Sequence, residues 1–110
     1  MAGWFELKQG NSGKFSFVLA AGNGEPILRS EQYESRASAR NGIASVQKNC
    51  TSDNRFDRKD ASDGRFYFNL KAANHQVIGT SQMYKSSASR DAGIESVKNN
   101  GSTETIKTPD

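Results

Sequence analysis

Gly64-Arg65-Phe66-Tyr67-Phe68-Asn69-Leu70-Lys71-Ala72-Ala73-Asn74 is a stretch the chain has already used once, as Gly13-Lys14-Phe15-Ser16-Phe17-Val18-Leu19-Ala20-Ala21-Gly22-Asn23. In each copy three large apolar residues alternate with smaller or polar ones: Phe15, Phe17 and Leu19, then Phe66, Phe68 and Leu70. Period-two spacing puts them on one face of a strand, whereas a helix would scatter them around its circumference. Gly13 and Gly64 precede the strands where a turn needs positive φ. Asn23-Gly24 after the first copy is a hairpin signal. Asn74-His75 stands there in the second copy, which predicts a different turn or a longer loop.

Working outward, the same offset of 51 residues aligns Phe5 with Phe56, Ile27 with Ile78, Ser30 with Ser81, Tyr33 with Tyr84, Ser35 with Ser86, Gly42 with Gly93, Ile43 with Ile94 and Val46 with Val97. So many identities at one ungapped offset make the chain a duplication. In the first copy, strands are expected over Trp4 to Lys8, Lys14 to Ala20 and Pro26 to Ser30. A helix capped by Ser35 follows, with Ala39, Gly42, Ile43 and Val46 at helical spacing. The second copy repeats this with strands over Arg55 to Lys59, Arg65 to Lys71 and Gln76 to Ser81. Its helix starts after Ser86 and carries Gly93, Ile94 and Val97 in its stripe, with Gly101 as a C-terminal stop. The fold class is therefore α+β. Two tandem βββα repeats are related by a pseudo-twofold axis, with antiparallel strands and the helices packed on the sheet. Repeat 1 spans 3–49, a linker 50–54, repeat 2 spans 55–100, and 101–110 reads as a flexible tail.

A chain of 110 residues suits one domain. Each half alone would bury too little surface to be stable, so the halves should share one core. The formal net charge is +3, with six basic and four acidic residues in 1–50 against nine and eight in 51–110. Mild, dispersed basicity permits contact with nucleic acid without arguing for it. The single cysteine, Cys50, has no internal disulfide partner, and no apolar run approaches membrane-spanning length. A cytoplasmic, non-membrane protein is expected.

The pattern Gly-Lys-Phe-x-Phe-x-Leu, then Ala-x-Asn-x-x-x-Ile, then Tyr-x-Ser-x-x-x-Ala-x-x-Gly-Ile-x-Ser-Val resembles the YegP-like family of small bacterial proteins, from about Ala2 to Ile106. Gly42-Ile43-Ala44-Ser45-Val46 and Ala72-Ala73-Asn74-His75-Gln76 carry the closest likeness. The resemblance implies a tandem βββα fold with both units in one compact domain, and homodimerisation among members with a single unit. It carries no catalytic or binding residue, because the family is a domain of unknown function. Arg58 stands at the position of Leu7, which suits an edge strand where an arginine stem packs and its head reaches water.

Positions on which the copies agree read as requirements of the fold, and positions on which they differ are freer to carry function. Gly42 and Gly93 suit close packing, Tyr33 and Tyr84 a ring in the core with its hydroxyl at the rim, and Ser35 and Ser86 helix caps. His75 is the only histidine and falls in a turn. With Cys50 it makes neither a metal set nor a nucleophile–base pair that spacing supports. No phosphate-binding loop and no repeated carboxylate pair is present, so no catalytic, cofactor or metal site is expected, and the protein reads as a non-enzyme. The leading reading is a monomeric protein-interaction module of unknown partner. The alternative is weak single-stranded nucleic-acid binding through the outward face of one strand, where Arg65, Tyr67, Asn69 and Lys71 line up.

Overall fold

The apolar alternation becomes a sheet with one buried face. The computed structural model describes residues 3–108. Its strands are β1 (Trp4–Gln9), β2 (Phe15–Ala20), β3 (Pro26–Arg29), β4 (Phe56–Asp60), β5 (Phe66–Lys71), β6 (Val77–Thr80) and β7 (Ile106–Lys107). Helix α1 (Arg36–Asn49) follows β3 and α2 (Ser87–Asn100) follows β6, with a single 3-10 turn at Asp53–Arg55. All seven strands form one sheet in the order β4-β5-β6-β3-β2-β1-β7. Phe17, Leu19, Phe68 and Leu70 are buried from this sheet, while Phe15 and Phe66 lie half-buried at its rim. Arg36 lies over the Phe15 ring and Arg90 over the Phe66 ring, at 5.3 and 5.5 Å.

Four tight hairpin turns share one design. Gly13 N–H donates to Gly10 O, Gly24 N–H to Ala21 O, Gly64 N–H to Ala61 O and His75 N–H to Ala72 O. The fourth residue of each turn is left-handed: φ is 85° at Gly13, 86° at Gly24, 88° at Gly64 and 69° at His75. The turn after β5 therefore does not differ from its counterpart, contrary to the expectation from Asn74-His75. Asn23 and Asn74 each accept the N–H two residues on at 3.0 Å, and the histidine takes the strained conformation that glycine takes freely.

Both helices begin as the sequence predicts. Ser35 Oγ accepts from Ser38 N–H at 3.1 Å and Ser86 Oγ from Ser89 N–H at 3.0 Å. The stripes Ala39, Gly42, Ile43, Val46 and Gly93, Ile94, Val97 are buried, with Arg90 at the place of Ala39. A side-chain carbon on Gly42 or Gly93 would run into the hydroxyl of Tyr33 or Tyr84, so each glycine makes room for a tyrosine. Each tyrosine stacks on a core phenylalanine that a third ring meets edge-on. Tyr33 and Phe17 lie 6.2 Å apart at 12°, Phe17 and Phe5 5.9 Å apart at 75°, and Tyr84, Phe68 and Phe56 repeat the set. Ser30 and Ser81, identical in both copies, are unassigned in the sequence reading. Their hydroxyls accept from Phe17 N–H and Phe68 N–H and donate to the Glu31 and Gln82 carbonyls, closing the gap left where β3 and β6 end.

The pseudo-twofold axis passes between β3 and β6, which pair antiparallel through Arg29 and Thr80. These two are themselves equivalent positions of the repeat. Each helix packs on strands of both units, and the buried side chains make one continuous core. Equivalent residues thus meet each other at the axis, and there the copies differ in size. A side-chain carbon on Gly79 would lie 2.7 Å from Leu28 Cγ, and one on Gly101 would lie 2.8 Å from Cys50 Cβ. Gly79 is the counterpart of Leu28, and Gly101 that of Cys50. Gly101 ends α2 with φ −70°, so its glycine serves this approach rather than a left-handed stop.

The assignment of 101–110 to a flexible tail is corrected over its described part. Ile106 and Lys107 form β7, parallel to β1, and Phe5 N–H donates to Thr105 O at 2.9 Å. Ile106 packs on the core, an apolar contact that one isolated isoleucine in a polar segment does not announce. Pro109 and Asp110 lie outside the described residues. β7 covers the edge of β1, leaving β4 as the free edge, where Arg58 pairs with Asp53 (3.4 Å) and Asp91 (3.3 Å).

Two stability measurements test these packing arguments. His75→Gly removes the left-handed strain and is expected to raise unfolding free energy by about 0.5–1 kcal/mol in urea melts; a loss would show that the His75 side chain contributes contacts of its own. Gly79→Ala is expected to cost about 1–3 kcal/mol by overpacking Leu28. Combined with Leu28→Ala it should cost much less than the sum of the single changes, and strict additivity would refute direct contact at the axis.

Candidate binding face

Because the helices lie on one side, the opposite face of the sheet carries the outward residues of every strand. The strand registers draw one row across it: Asp57 beside Asn69, Asn69 beside Thr80, Thr80 beside Arg29, Arg29 beside Val18, Val18 beside Glu6, and Glu6 beside Lys107. Tyr67 and Lys71 flank the row on β5, and Trp4 flanks it on β1. The face therefore mixes cations, carboxylates and apolar groups.

Of the four residues singled out in sequence, Tyr67, Asn69 and Lys71 share this face, and Arg65 falls in the turn before β5. Their charges and donors are largely engaged within the protein. Lys71 Nζ lies 3.0 Å from Asp57 Oδ2, which Lys59 also reaches at 3.3 Å. Thr80 Oγ1 donates to Asn69 Oδ1 at 2.8 Å. Arg65 Nη2 lies 2.7 Å from Asp63 Oδ2, and Asp63 Oδ1 also accepts the Arg65 backbone N–H. The hydrogen bond from Lys71 holds the Asp57 carboxyl below the usual carboxylate range, and bonds from the Arg65 backbone and side chain do the same for Asp63. Sequence reasoning missed Asp57 because its opposition to Lys71 depends on the β4–β5 register.

At the β1 edge Trp4 Nε1–H donates to Glu6 Oε2 at 3.0 Å, and Lys107 Nζ sits 3.9 Å from the centre of the indole ring. This pairing depends on β7 and was invisible in sequence. Where β3 and β6 meet, the surface opens into a cavity of about 270 Å³. Arg29, Ser30 and Glu31 line it from one unit, and Val77, Gly79, Thr80 and Ser81 from the other. Outward alternation along β3 was the one sequence signal that could have drawn attention to Arg29.

His75 and Cys50 stand apart in character. His75 is exposed in its turn, whereas Cys50 is fully buried at the axis, where burial pushes its thiol pKa up. Among the described residues no group of three or more His, Cys, Asp or Glu side chains is gathered for a metal ion. No helix among them is long and apolar enough to cross a membrane.

The model of the DUF1508 family, a domain of unknown function, matches the chain twice, over residues 10–57 and 61–107. The chain belongs to this family. Each DUF1508 match runs from the hairpin before β2 or β5 through the helix and into the segment beyond it, so the residues that form β7 fall within the repeated unit. A UPF0339 protein of Acinetobacter baylyi is 64% identical over 97% of this chain and 96% of its own. The UPF0339 protein YegP of Escherichia coli strain K12 is 59% identical over 97% of each. The solution NMR structure of YegP from E. coli, described as a protein of unknown function, superposes with a TM-score of 0.94 at 58% identity, covering 99% of this chain and 94% of that one. That of a UPF0339 protein from Shewanella oneidensis gives 0.92 at 56% identity, over 98% and 92%. The α+β duplication and the family expected from the sequence are thereby established for this chain, and these relatives state no function for the DUF1508 fold.

The Asp57–Lys71 pair is open to direct titration. Lys71→Met removes the main group lowering the Asp57 pKa, so the Asp57 carboxyl carbon should titrate at higher pH than in the parent protein. Because the folded-state pKa lies below the unfolded one, the pair adds stability above about pH 4 that is lost as pH falls through the folded value. An unchanged Asp57 midpoint in Lys71→Met would show that the pair is not formed in solution.

Proposed function

We propose that this DUF1508 protein is a non-catalytic interaction module that docks a protein partner on the open face of its sheet. The observation that carries this reading is the one-sided placement of α1 and α2, which leaves seven strands uncovered on the other side. Val18, Tyr67 and Trp4 offer partly exposed apolar surface there. The interspersed charges favour a partner of mixed charge, since an interface gains specificity from complementary pairs. The chain acts as a monomer in this reading, because the second unit already occupies the place a partner unit would take. The free Cys50 thiol suits a reducing, cytoplasmic setting.

A second reading, weak single-stranded nucleic-acid binding through Arg65, Tyr67, Asn69 and Lys71, draws support from an aromatic ring between basic side chains. It is the weaker one. Lys71 and Arg65 are already matched by Asp57 and Asp63, and phosphates would meet those carboxylates.

Site-specific photo-crosslinking in cells separates the readings. A crosslinker at Val18 or Tyr67 is expected to trap one discrete protein adduct, and one at exposed Ala44 on the helix side none. Equal trapping from Ala44, or none from the sheet face, would count against docking there. Salt-sensitive amide shifts confined to residues 65–71 on adding short single-stranded RNA or DNA would put nucleic acid in its place.

A further inference from the structure

The cavity where the two units meet differs from its surroundings in how far the copies have diverged. Across the repeat Arg29 corresponds to Thr80, Glu31 to Gln82, Val77 to Pro26 and Gly79 to Leu28. Only Ser30 and Ser81 agree, and both hydroxyls are committed to backbone groups. Symmetry of the fold therefore does not account for the residues lining this cavity. A cation and a carboxylate stand on one side of the axis, and Val77 and Thr80 stand opposite them.

Arg29 and Glu31 also differ from the basic residues of the β4–β5 hairpin. Lys59 on β4, Lys71 on β5 and Arg65 in the turn before β5 are all ion-paired. Arg29 and Glu31 line the same cavity, yet among the described residues neither forms an ion pair, with the other or with any other group. Two unmatched opposite charges in one concavity are complementary to a ligand that carries both signs. A guanidinium presents a planar fork of donors that matches a carboxylate in two hydrogen bonds. A carboxylate accepts from an ammonium group. Val77, 38% exposed, supplies an apolar wall.

We infer that this cavity binds a small zwitterion of amino-acid size, with its carboxylate on Arg29, its ammonium group on Glu31 and its side chain against Val77. The volume of about 270 Å³ lies just below the roughly 300–1,000 Å³ of sites for drug-sized ligands, which fits an occupant of this smaller class. A simple anion would leave Glu31 unmatched and pressed against it, and a simple cation would do the same with Arg29. A nucleic-acid backbone carries no ammonium group and would meet Glu31 as a repulsion. The site lies on the same open face as the docking reading but does not rest on it.

The test is an amide-shift titration of the full chain with L-leucine, alongside leucinamide, which lacks the carboxylate, and N-acetyl-leucine, which lacks the ammonium group. L-leucine should produce saturable shifts at residues 29–31 and 77–81, with a dissociation constant of about 1 mM or below. Leucinamide and N-acetyl-leucine should each bind at least about tenfold more weakly, the loss expected when one charged contact is removed. Arg29→Gln and Glu31→Gln change exposed side chains, so the fold should persist in an otherwise unchanged spectrum while the leucine shifts disappear. Absence of saturable shifts up to about 10 mM L-leucine would overturn the proposal. So would N-acetyl-leucine binding as well as leucine, which would reduce the cavity to an anion site.

Discussion

Neither unit of this protein closes a core by itself, and the packing at the pseudo-twofold axis is what the rest of the structure depends on. Strands β3 and β6 are only four residues long and meet through Arg29 and Thr80 alone. That ladder is too short to hold two halves together. The joint is made by what lies beneath it: Leu28 fills the space that Gly79 leaves, Cys50 fills the space that Gly101 leaves, and each helix crosses onto the other unit's strands. Apolar burial across the axis makes two marginal fifty-residue units into one core.

This arrangement also explains why the duplication has become asymmetric where its halves touch. At a twofold axis a residue meets its own equivalent. Two leucines would overpack the position of Leu28 and two glycines would leave a void, and either error is destabilising. Once both units sit in one chain, a large residue on one side and a small one on the other resolve the conflict. The halves then stop being interchangeable. Divergence at the axis is thus a packing requirement on the buried side of the sheet. Beside these positions, Arg29 and Glu31 line the cavity without ion-pair partners among the described residues.

The electrostatics of the open face follow a similar logic of register. A line of basic and aromatic residues along β5 looks like a binding stripe when the strand is considered alone. Pairing with β4 brings Asp57 against Lys71, and the turn before β5 folds Asp63 back on Arg65. Exposed pairs of this kind are individually weak. They still lower the positive potential available to a polyanion, so the free charge of the face shifts from β5 to Arg29 at its centre.

Much of the architecture was legible because local rules decide it. Alternation of Phe, Phe and Leu places strands and Ser35 and Ser86 start helices through interactions within a few residues, and the ungapped offset of 51 reveals the duplication by plain repetition. Gly42 and Gly93 could be read as close-packing positions, though not that Tyr33 and Tyr84 fill the space. Strand order, the side on which the helices lie, the docking of Ile106 on β1, the partnership of Asp57 with Lys71 and the cavity beside Arg29 were decided only by the tertiary structure. Each of these joins residues far apart in the chain, and such contacts are set by burying apolar surface and matching shape in three dimensions, which no short window of sequence records.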